Sequence, residues 1–255
     1  MGLLAAVGSN SLEIANRAIL LAASPIQALV ERPGLTHSFC NRQAIRILLS
    51  DGRERAAQLA AQHLENLEAG SIWVDRGWRS SGHFYDPDSG RGLWRWPSAL
   101  DFCRVYYGRA VANWKKGAAA RAFFYLGAAT HLVQDLCVPH HSAGKLFDGH
   151  QEFEDLARER ALWHPCRSGG LYDLASEPGS WVAANANFSQ GFLPLARAGA
   201  PDADKEEAIS NLLPRAQRST AGFLAFFAEE VADVRKFAIG QWCSGMPELR
   251  EVVGG

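Results

Sequence analysis

The sequence lacks several features that mark common protein classes. Its 5 cysteines are scattered without any Cys-x-x-Cys pair, which argues against a zinc ribbon and against a dense disulfide framework. It contains no run of about 18 consecutive apolar residues, so a membrane-spanning helix is not expected. The formal net charge of -1 gives no sign of the basic surface with which proteins bind nucleic acid. Internal repeats and low-complexity tracts are also missing.

What the sequence does contain is helical periodicity. Apolar residues recur at three- and four-residue spacing in 41–70, 99–117 and 118–136, with Gly70 expected to cap the first segment and Pro139 to halt the last. Further helices are predicted at 150–163, 179–188, 204–213 and 215–236. Alternating runs of β-branched residues are absent, so we predict an all-α, single-domain, multi-helix bundle.

The N-terminus leaves the compartment open. The segment AILLAASPIQALV (18–30) follows Arg17 and is apolar enough for the central region of a secretory signal, with Ala28 at a plausible cleavage position. The residues before it carry Glu13 and Arg17 as their only charged side chains, and they also look like a short helix. The segment is therefore either a degenerate signal or an N-terminal extension.

A second feature is a concentration of metal-capable side chains between residues 131 and 155, which hold four of the chain's 8 histidines. His131 and Asp135 lie four residues apart on a predicted helix, so they share one face and can grip a single ion. The same spacing relates His150 to Glu154. Either pair alone is more often a solvated salt bridge than a metal site.

Between these two pairs stands the turn Pro139-His140-His141. The proline ends the preceding helix and directs a histidine back towards the same space, although two adjacent histidines cannot both point there. Two pairs on either side of this turn make a metal site as plausible as isolated salt bridges, and both interpretations stay open at this point. Mixed nitrogen and oxygen donors favour zinc or a similar divalent ion.

The cluster also resembles a known family signature. The segments AFFYLGAATHLVQDLCVPHHSA (122–143) and GHQEFED (149–155) are similar to the core of the zinc-dependent phospholipase C family, which is related in scaffold to S1/P1 nucleases. In order along the chain, further similar segments are HSFCNRQAI (37–45), GSIWVDRG (70–77), GHFYDPDSG (82–90) and AQRSTAGFLAFF (216–227). The resemblance implies a trinuclear-type zinc cluster within a domain of residues 31–246, preceded by the 1–30 segment and followed by a 247–255 tail.

The resemblance also implies a role for each site residue. Asp75, His83, His131 and Asp135 would hold the first ion, and His141, His150 and Glu154 the second. Asp135 would bridge to a third ion shared with His37. Family members complete that third site with an N-terminal tryptophan, but residues 24–36 contain none. We therefore expect two or three zinc ions, with a weakened third site that Glu31 or a new N-terminus near Ala28 would complete.

The implied activity is hydrolysis of a phosphodiester. Bound zinc lowers the pKa of a water molecule and neutralises charge on the phosphoryl oxygens. With Asp75 as general base, a glycerophospholipid would be split into diacylglycerol and a phosphorylated head group. The resemblance further implies weak peripheral membrane contact at most, no nucleic-acid partner, a monomer, and export rather than a cytoplasmic location. The alternatives are an S1/P1-type single-strand nuclease and a non-catalytic metal-binding relative.

Overall fold

The computed structural model describes residues 35–244, excluding the side chains of Trp78, Arg95 and 233–244. In chain order its α-helices are α1 (Leu35–Ser50), α2 (Glu54–Gln62), α3 (Leu64–Val74), α4 (Ala99–Lys115), α5 (Ala119–Asp135), α6 (Pro139–Ser142), α7 (His150–Arg160), α8 (Pro178–Ser189), α9 (Leu193–Ala196) and α10 (Asp202–Ser244). Short 3₁₀ segments occur at Gly77–Gly82, Leu93–Arg95, Ala161–Trp163 and Gln190–Phe192.

The predicted all-α fold is confirmed, because residues 35–244 form helices and no strand. Within that range, no helix combines the length and the apolar character needed to cross a membrane. The predicted 1–30 extension, its Ala28 cleavage position, Glu31 and the 247–255 tail lie outside the described residues. The domain boundaries at 31 and 246 therefore stay a prediction.

Helix α5 lies at the centre of the bundle and carries the middle of the metal-capable cluster. Its residues from Leu126 to Asp135 are all buried, and it packs most extensively against α3 and α4. The side chain of Phe123 on α5 and those of Trp181, Phe223 and Phe227 on other helices are almost completely excluded from solvent. Burial of this apolar surface is the main stabilising contribution to the fold.

Local sequence signals explain how α4 and α5 form an antiparallel pair. Ser98 begins α4 with a capping box, in which the backbone N–H of Asp101 donates to Ser98 Oγ and the Asp101 carboxylate accepts from the Ser98 backbone N–H at 2.9 Å. Gly117 joins the two helices with a φ of 75°, a left-handed conformation that favours glycine. The predicted helices at 99–117 and 118–136 are thus confirmed within two residues at each end.

The predicted cap at Gly70 is wrong, because Gly70 lies inside α3 and serves helix packing instead. A Cβ atom at Gly70 would lie 1.8 Å from the Phe124 carbonyl oxygen, and one at Gly127 would lie 1.9 Å from the Leu67 carbonyl oxygen. The backbones of α3 and α5 therefore touch at this crossing. The Ser71 hydroxyl, 3.0 Å from the Gly127 carbonyl oxygen, joins the two helices there.

We predict that Gly127→Ala destabilises the fold strongly. The new methyl group has only backbone atoms around it, which cannot move aside as a flexible side chain would. The expected loss is about 3 kcal/mol of unfolding free energy, at the upper end of the usual cost of overpacking. Denaturant unfolding of both proteins measures the difference.

The matched control is Gly108→Ala in the middle of α4. Gly108 is exposed, and an added Cβ there would meet nothing within 4 Å. Because alanine has the higher helix propensity, this variant should be more stable by up to about 1 kcal/mol. Equal unfolding midpoints for Gly127→Ala and the wild type would contradict the proposed close approach of α3 and α5.

The C-terminal part of the bundle also differs from its prediction. The expected helices at 204–213 and 215–236 form one continuous helix, α10, which runs through Pro214. Proline removes one intrahelical hydrogen bond and crowds the preceding turn. Leu213 and Ala216 are buried on either side of it, so tertiary packing holds the helix together where local propensity predicts a break.

Candidate metal centre

The last turn of α5 places a histidine and a carboxylate in the interior. His131 Nε2 lies 3.0 Å from Asp135 Oδ2, and their side chains are only 1% and 5% exposed. Despite this distance, Nε2 and Oδ2 do not form a hydrogen bond of acceptable geometry, and neither atom has another such partner among the described residues. Buried polar atoms without partners are costly. A cation bound between them would satisfy both.

His83 approaches the same carboxylate from the segment after α3. Its Nε2 lies 3.2 Å from the Val74 carbonyl oxygen, and its Nδ1 lies 2.8 Å from Asp135 Oδ2. A carbonyl oxygen only accepts, so Nε2 carries hydrogen and a neutral ring turns the lone pair of Nδ1 towards the carboxylate. Two acceptors at this distance repel each other unless a proton or a metal ion lies between them. Metal-binding histidines are commonly oriented by a second hydrogen bond of this kind.

Asp75 completes this side of the cluster. It is the residue directly after α3, and its Oδ1 lies 3.8 Å from His83 Nδ1 and 3.9 Å from His131 Nε2. These distances are longer than that of a hydrogen bond, but the three atoms lie close enough to bind one metal ion together. The side chain is 30% exposed, so one carboxylate reaches both the buried histidines and the solvent.

A second group forms beside the first around Glu154. His141 Nε2 and His150 Nε2 lie 3.1 Å and 2.9 Å from Glu154 Oε1, and 2.8 Å from each other. His141 Nδ1 faces the carbonyl oxygen of His83 at 3.0 Å, which again leaves Nε2 as the free ligand atom of a neutral ring. The two predicted four-residue pairs therefore meet through His141, as the Pro-His-His turn suggested.

The electrostatics of the cluster favour positive charge at its centre. Burial opposes ionisation of Asp135, but the nearby imidazoles of His131, His141 and His83 outweigh it, so the pKa of Asp135 lies well below its usual range. Burial also opposes charge on His141, yet Asp135 and Glu154 raise the pKa of His141 to about 9. Asp135 thus stays ionised in a buried site, and the positive charge that is favoured on His141 can be supplied instead by a metal ion bound to the neutral ring.

All eight predicted ligands fall into four overlapping groups of donor atoms that lie within 4.8 Å of one another. The groups are His37, His131 and Asp135; Asp75, His83 and His131; His83, Asp135 and His141; and His141, His150 and Glu154. Imidazole nitrogens and carboxylate oxygens are donors that suit zinc. That each of these residues binds metal stays a prediction.

His140 lies behind the cluster and does not point into it. Its ring is fully buried, faces the Asp148 carbonyl oxygen through Nε2 at 3.0 Å, and stacks on His150 with ring centres 5.2 Å apart. The sequence predicted that only one of the two adjacent histidines would face the cluster, and the structure selects His141. The Phe84 ring stacks on the His141 ring, with ring centres 4.9 Å apart.

Comparison with known protein families matches residues 36–174, more than half of the chain, to the family described as zinc dependent phospholipase C. The chain belongs to the zinc dependent phospholipase C family. The family and the donor set agree on zinc as the metal.

The relatives that this chain matches include phospholipases C from clostridia. The enzyme of Clostridium perfringens type A is 23% identical over 244 residues, covering 81% of this chain and 61% of the relative. That of Clostridium novyi is 25% identical over 238 residues, covering 77% and 59%. The matches thus span under two thirds of the length of these relatives.

Solved structures show the same fold. The alpha toxin from Clostridium absonum matches with a TM-score of 0.70 and 24% identity, over 77% of this chain and 63% of the toxin. The alpha-toxin of an avian Clostridium perfringens strain matches with a TM-score of 0.66 and 21% identity, over 78% and 64%. The predicted relation to the zinc-dependent phospholipase C fold is confirmed.

Proposed function

We propose that this protein is a phospholipase C-type phosphoric diester hydrolase that releases diacylglycerol and a phosphorylated head group from glycerophospholipids. The observation that carries the proposal is the convergence of eight nitrogen and oxygen donors into overlapping groups at one end of α5. Membership of a family described as zinc dependent phospholipase C, and relatives bearing that name, support the reaction class over that of a single-strand nuclease.

The proposed metal sites follow these groups. Asp75, His83, His131 and Asp135 hold one ion, and His141, His150 and Glu154 hold a second. A third, weaker site is formed by His37 and Asp135, whose nearest atoms, Nε2 and Oδ1, lie 3.5 Å apart. It is weaker because residues 24–36 contain no tryptophan to complete it.

The protein residues divide the chemistry between them. Bound zinc supplies an acidified water and neutralises the phosphoryl charge. Asp135 stays ionised among three imidazoles, so it holds the site together and does not take up a proton. Asp75 lies at the solvent-facing side, with Oδ1 3.8 Å from His83 Nδ1 and 3.9 Å from His131 Nε2, so it is the carboxylate placed to accept the proton of the attacking water as general base.

The partners and setting are part of the same proposal. The substrate is a phospholipid or a related phosphodiester, reached by a monomer through weak peripheral contact with a membrane surface. The domain comprises residues 31–246. The protein is exported, either with its N-terminal segment cleaved off or with that segment retained. Mass spectrometry of the mature N-terminus tests both the export and the completion of the third site.

Removing zinc should abolish turnover. Dialysis against a zinc chelator is expected to reduce hydrolysis of a chromogenic phosphocholine ester to background, and added zinc should restore it, because the acidified water is lost with the metal. Metal analysis by inductively coupled plasma mass spectrometry, together with native mass spectrometry, gives the number of ions.

The same preparation should be tested on single-stranded DNA. Cleavage of DNA without hydrolysis of the phosphocholine ester would replace the phospholipase assignment with a nuclease. Full zinc occupancy without either activity would instead identify a non-catalytic metal-binding relative. Hydrolysis of the ester alone supports the proposal.

A further inference from the structure

His37 differs from His83 and His141 in the group that orients it. His83 and His141 each face a backbone carbonyl oxygen, whereas His37 Nδ1 lies 2.7 Å from the side-chain oxygen Oε1 of Gln134. The other ring nitrogen of His37 faces Asp135 Oδ1 at 3.5 Å. The direction of the Gln134 amide therefore decides which nitrogen of a neutral His37 ring is free to bind a metal ion.

Three helices surround that amide. Gln134 belongs to α5, and its nitrogen Nε2 lies 2.9 Å from Asn41 Oδ1 on α1 and 3.0 Å from Thr220 Oγ1 on α10. His37 and Asn41 are four residues apart on α1, so both face Gln134 from the same side. Gln134, Asn41 and Thr220 are all buried, which limits the exchange of these hydrogen bonds with water.

Thr220 determines which end of the amide points to His37. The Thr220 hydroxyl donates to the Ala216 carbonyl oxygen at 2.7 Å, so its oxygen is left as an acceptor for Gln134. The amide nitrogen must therefore face Thr220, and the amide oxygen must face His37. An inverted amide would set its oxygen against the Thr220 oxygen, and two buried acceptors about 3.0 Å apart repel each other.

We propose that Gln134 is a positioning residue that keeps His37 in the Nδ1–H form and directs Nε2 to Asp135 as a metal ligand. Gln134 does not touch the substrate or the metal in this arrangement, and it acts through His37. The proposal rests on the proposed zinc site that contains His37. It also gives that site a fixed ligand where the family's N-terminal tryptophan is missing from residues 24–36.

The test compares two substitutions in the zinc-loaded full chain. Gln134→Leu removes the acceptor, and we expect the dissociation constant of one zinc ion to rise about 10- to 100-fold, the usual effect of losing an outer hydrogen-bond partner of a ligand. Gln134→Glu keeps an acceptor for His37 Nδ1, and the Asn41 amide nitrogen, which has no hydrogen-bond partner among the described residues, can turn to meet the new carboxylate. A charged carboxylate is a stronger acceptor than an amide oxygen, so the Thr220 hydroxyl can turn from the Ala216 carbonyl oxygen to donate to it. This variant should retain wild-type zinc binding. Competition with a chromogenic chelator measures both constants.

A second readout follows the His37 ring itself. Long-range nitrogen–proton NMR correlations of the zinc-loaded wild type should show a slowly exchanging hydrogen on His37 Nδ1, and Gln134→Leu should lose that protection. Neither measurement uses phospholipase activity. If turnover fails while these two results hold, the proposed reaction is wrong and the positioning role stands.

The matched control is Gln217→Leu. Gln217 is equally buried and also makes three hydrogen bonds, to the Cys166 backbone N–H and to the carbonyl oxygens of His164 and Leu213. Its loss should destabilise the fold without changing zinc affinity or the His37 signal. An equal change in zinc affinity for the two leucine variants, or none for Gln134→Leu, would show that Gln134 is merely structural.

Discussion

Asp135→Asn is expected to lower phosphocholine ester turnover by about 10³-fold or more and to reduce the zinc content by at least one ion per chain. The carboxylate has oxygens 2.8 Å from His83 Nδ1 and 3.0 Å from His131 Nε2, and it also faces His37 and His141. Metal-based charge stabilisation is worth several kcal/mol, and about 1.4 kcal/mol corresponds to tenfold in rate. Asparagine keeps the shape of the side chain but removes its charge, so zinc binding should weaken more than the packing around this position. Turnover and metal analysis on the same sample measure both effects.

A suitable control for this substitution is Asp173→Asn. Asp173 is exposed and lies outside every group of metal-capable side chains among the described residues. Its variant should keep wild-type zinc content and turnover. Wild-type zinc content in Asp135→Asn would refute the central position given to this carboxylate.

Asp75→Asn should separate catalysis from metal binding. Turnover is expected to fall by about 10²- to 10⁴-fold, the range attributed to general acid–base catalysis, while most of the zinc is retained. The reason is geometric, since Asp75 Oδ1 stands 3.8 Å and 3.9 Å from its neighbouring histidine nitrogens and its side chain is 30% exposed, against 5% for Asp135. The more deeply buried donors His83, His131 and Asp135 remain to hold the ion.

Turnover measured together with zinc content on the same sample gives the decisive readout for Asp75. Unchanged turnover would retire Asp75 as the base. If zinc is lost in parallel with activity, Asp75 acts only as a metal ligand. The Asp173→Asn protein again serves as the control.

Local patterns predicted the parts of this structure that depend on neighbouring residues. The four-residue pairs His131–Asp135 and His150–Glu154 follow from the helical period, and both lie on helices as expected. The same local reasoning failed at Gly70 and Pro214. A glycine inside α3 is required because the Phe124 carbonyl oxygen of α5 approaches it closely. Helix α10 continues through Pro214 because Leu213 and Ala216 are buried against residues from distant parts of the sequence.

The more distant members of the cluster were assigned through resemblance and not through spacing. His37, Asp75 and His83 have no periodic relation to α5, and only the family signature pointed to them. Gln134 carried no signal that could be recognised. Gln134 lies between two helical positions that did stand out, and its role depends on Asn41 and Thr220, 93 and 86 residues away.

By itself the sequence determined the helices, the paired donors on single helix faces and, through its motifs, the family. Only the tertiary structure decided which ring nitrogen of His37, His83 and His141 is free, because each ring takes its orientation from an acceptor that another segment of the chain brings to it. Such distances depend on how closely the helices pack. At Gly70 and Gly127, for example, the absence of a side chain lets the backbones of α3 and α5 come into contact. Helix propensity acts over a few residues, whereas these distances depend on how whole helices cross.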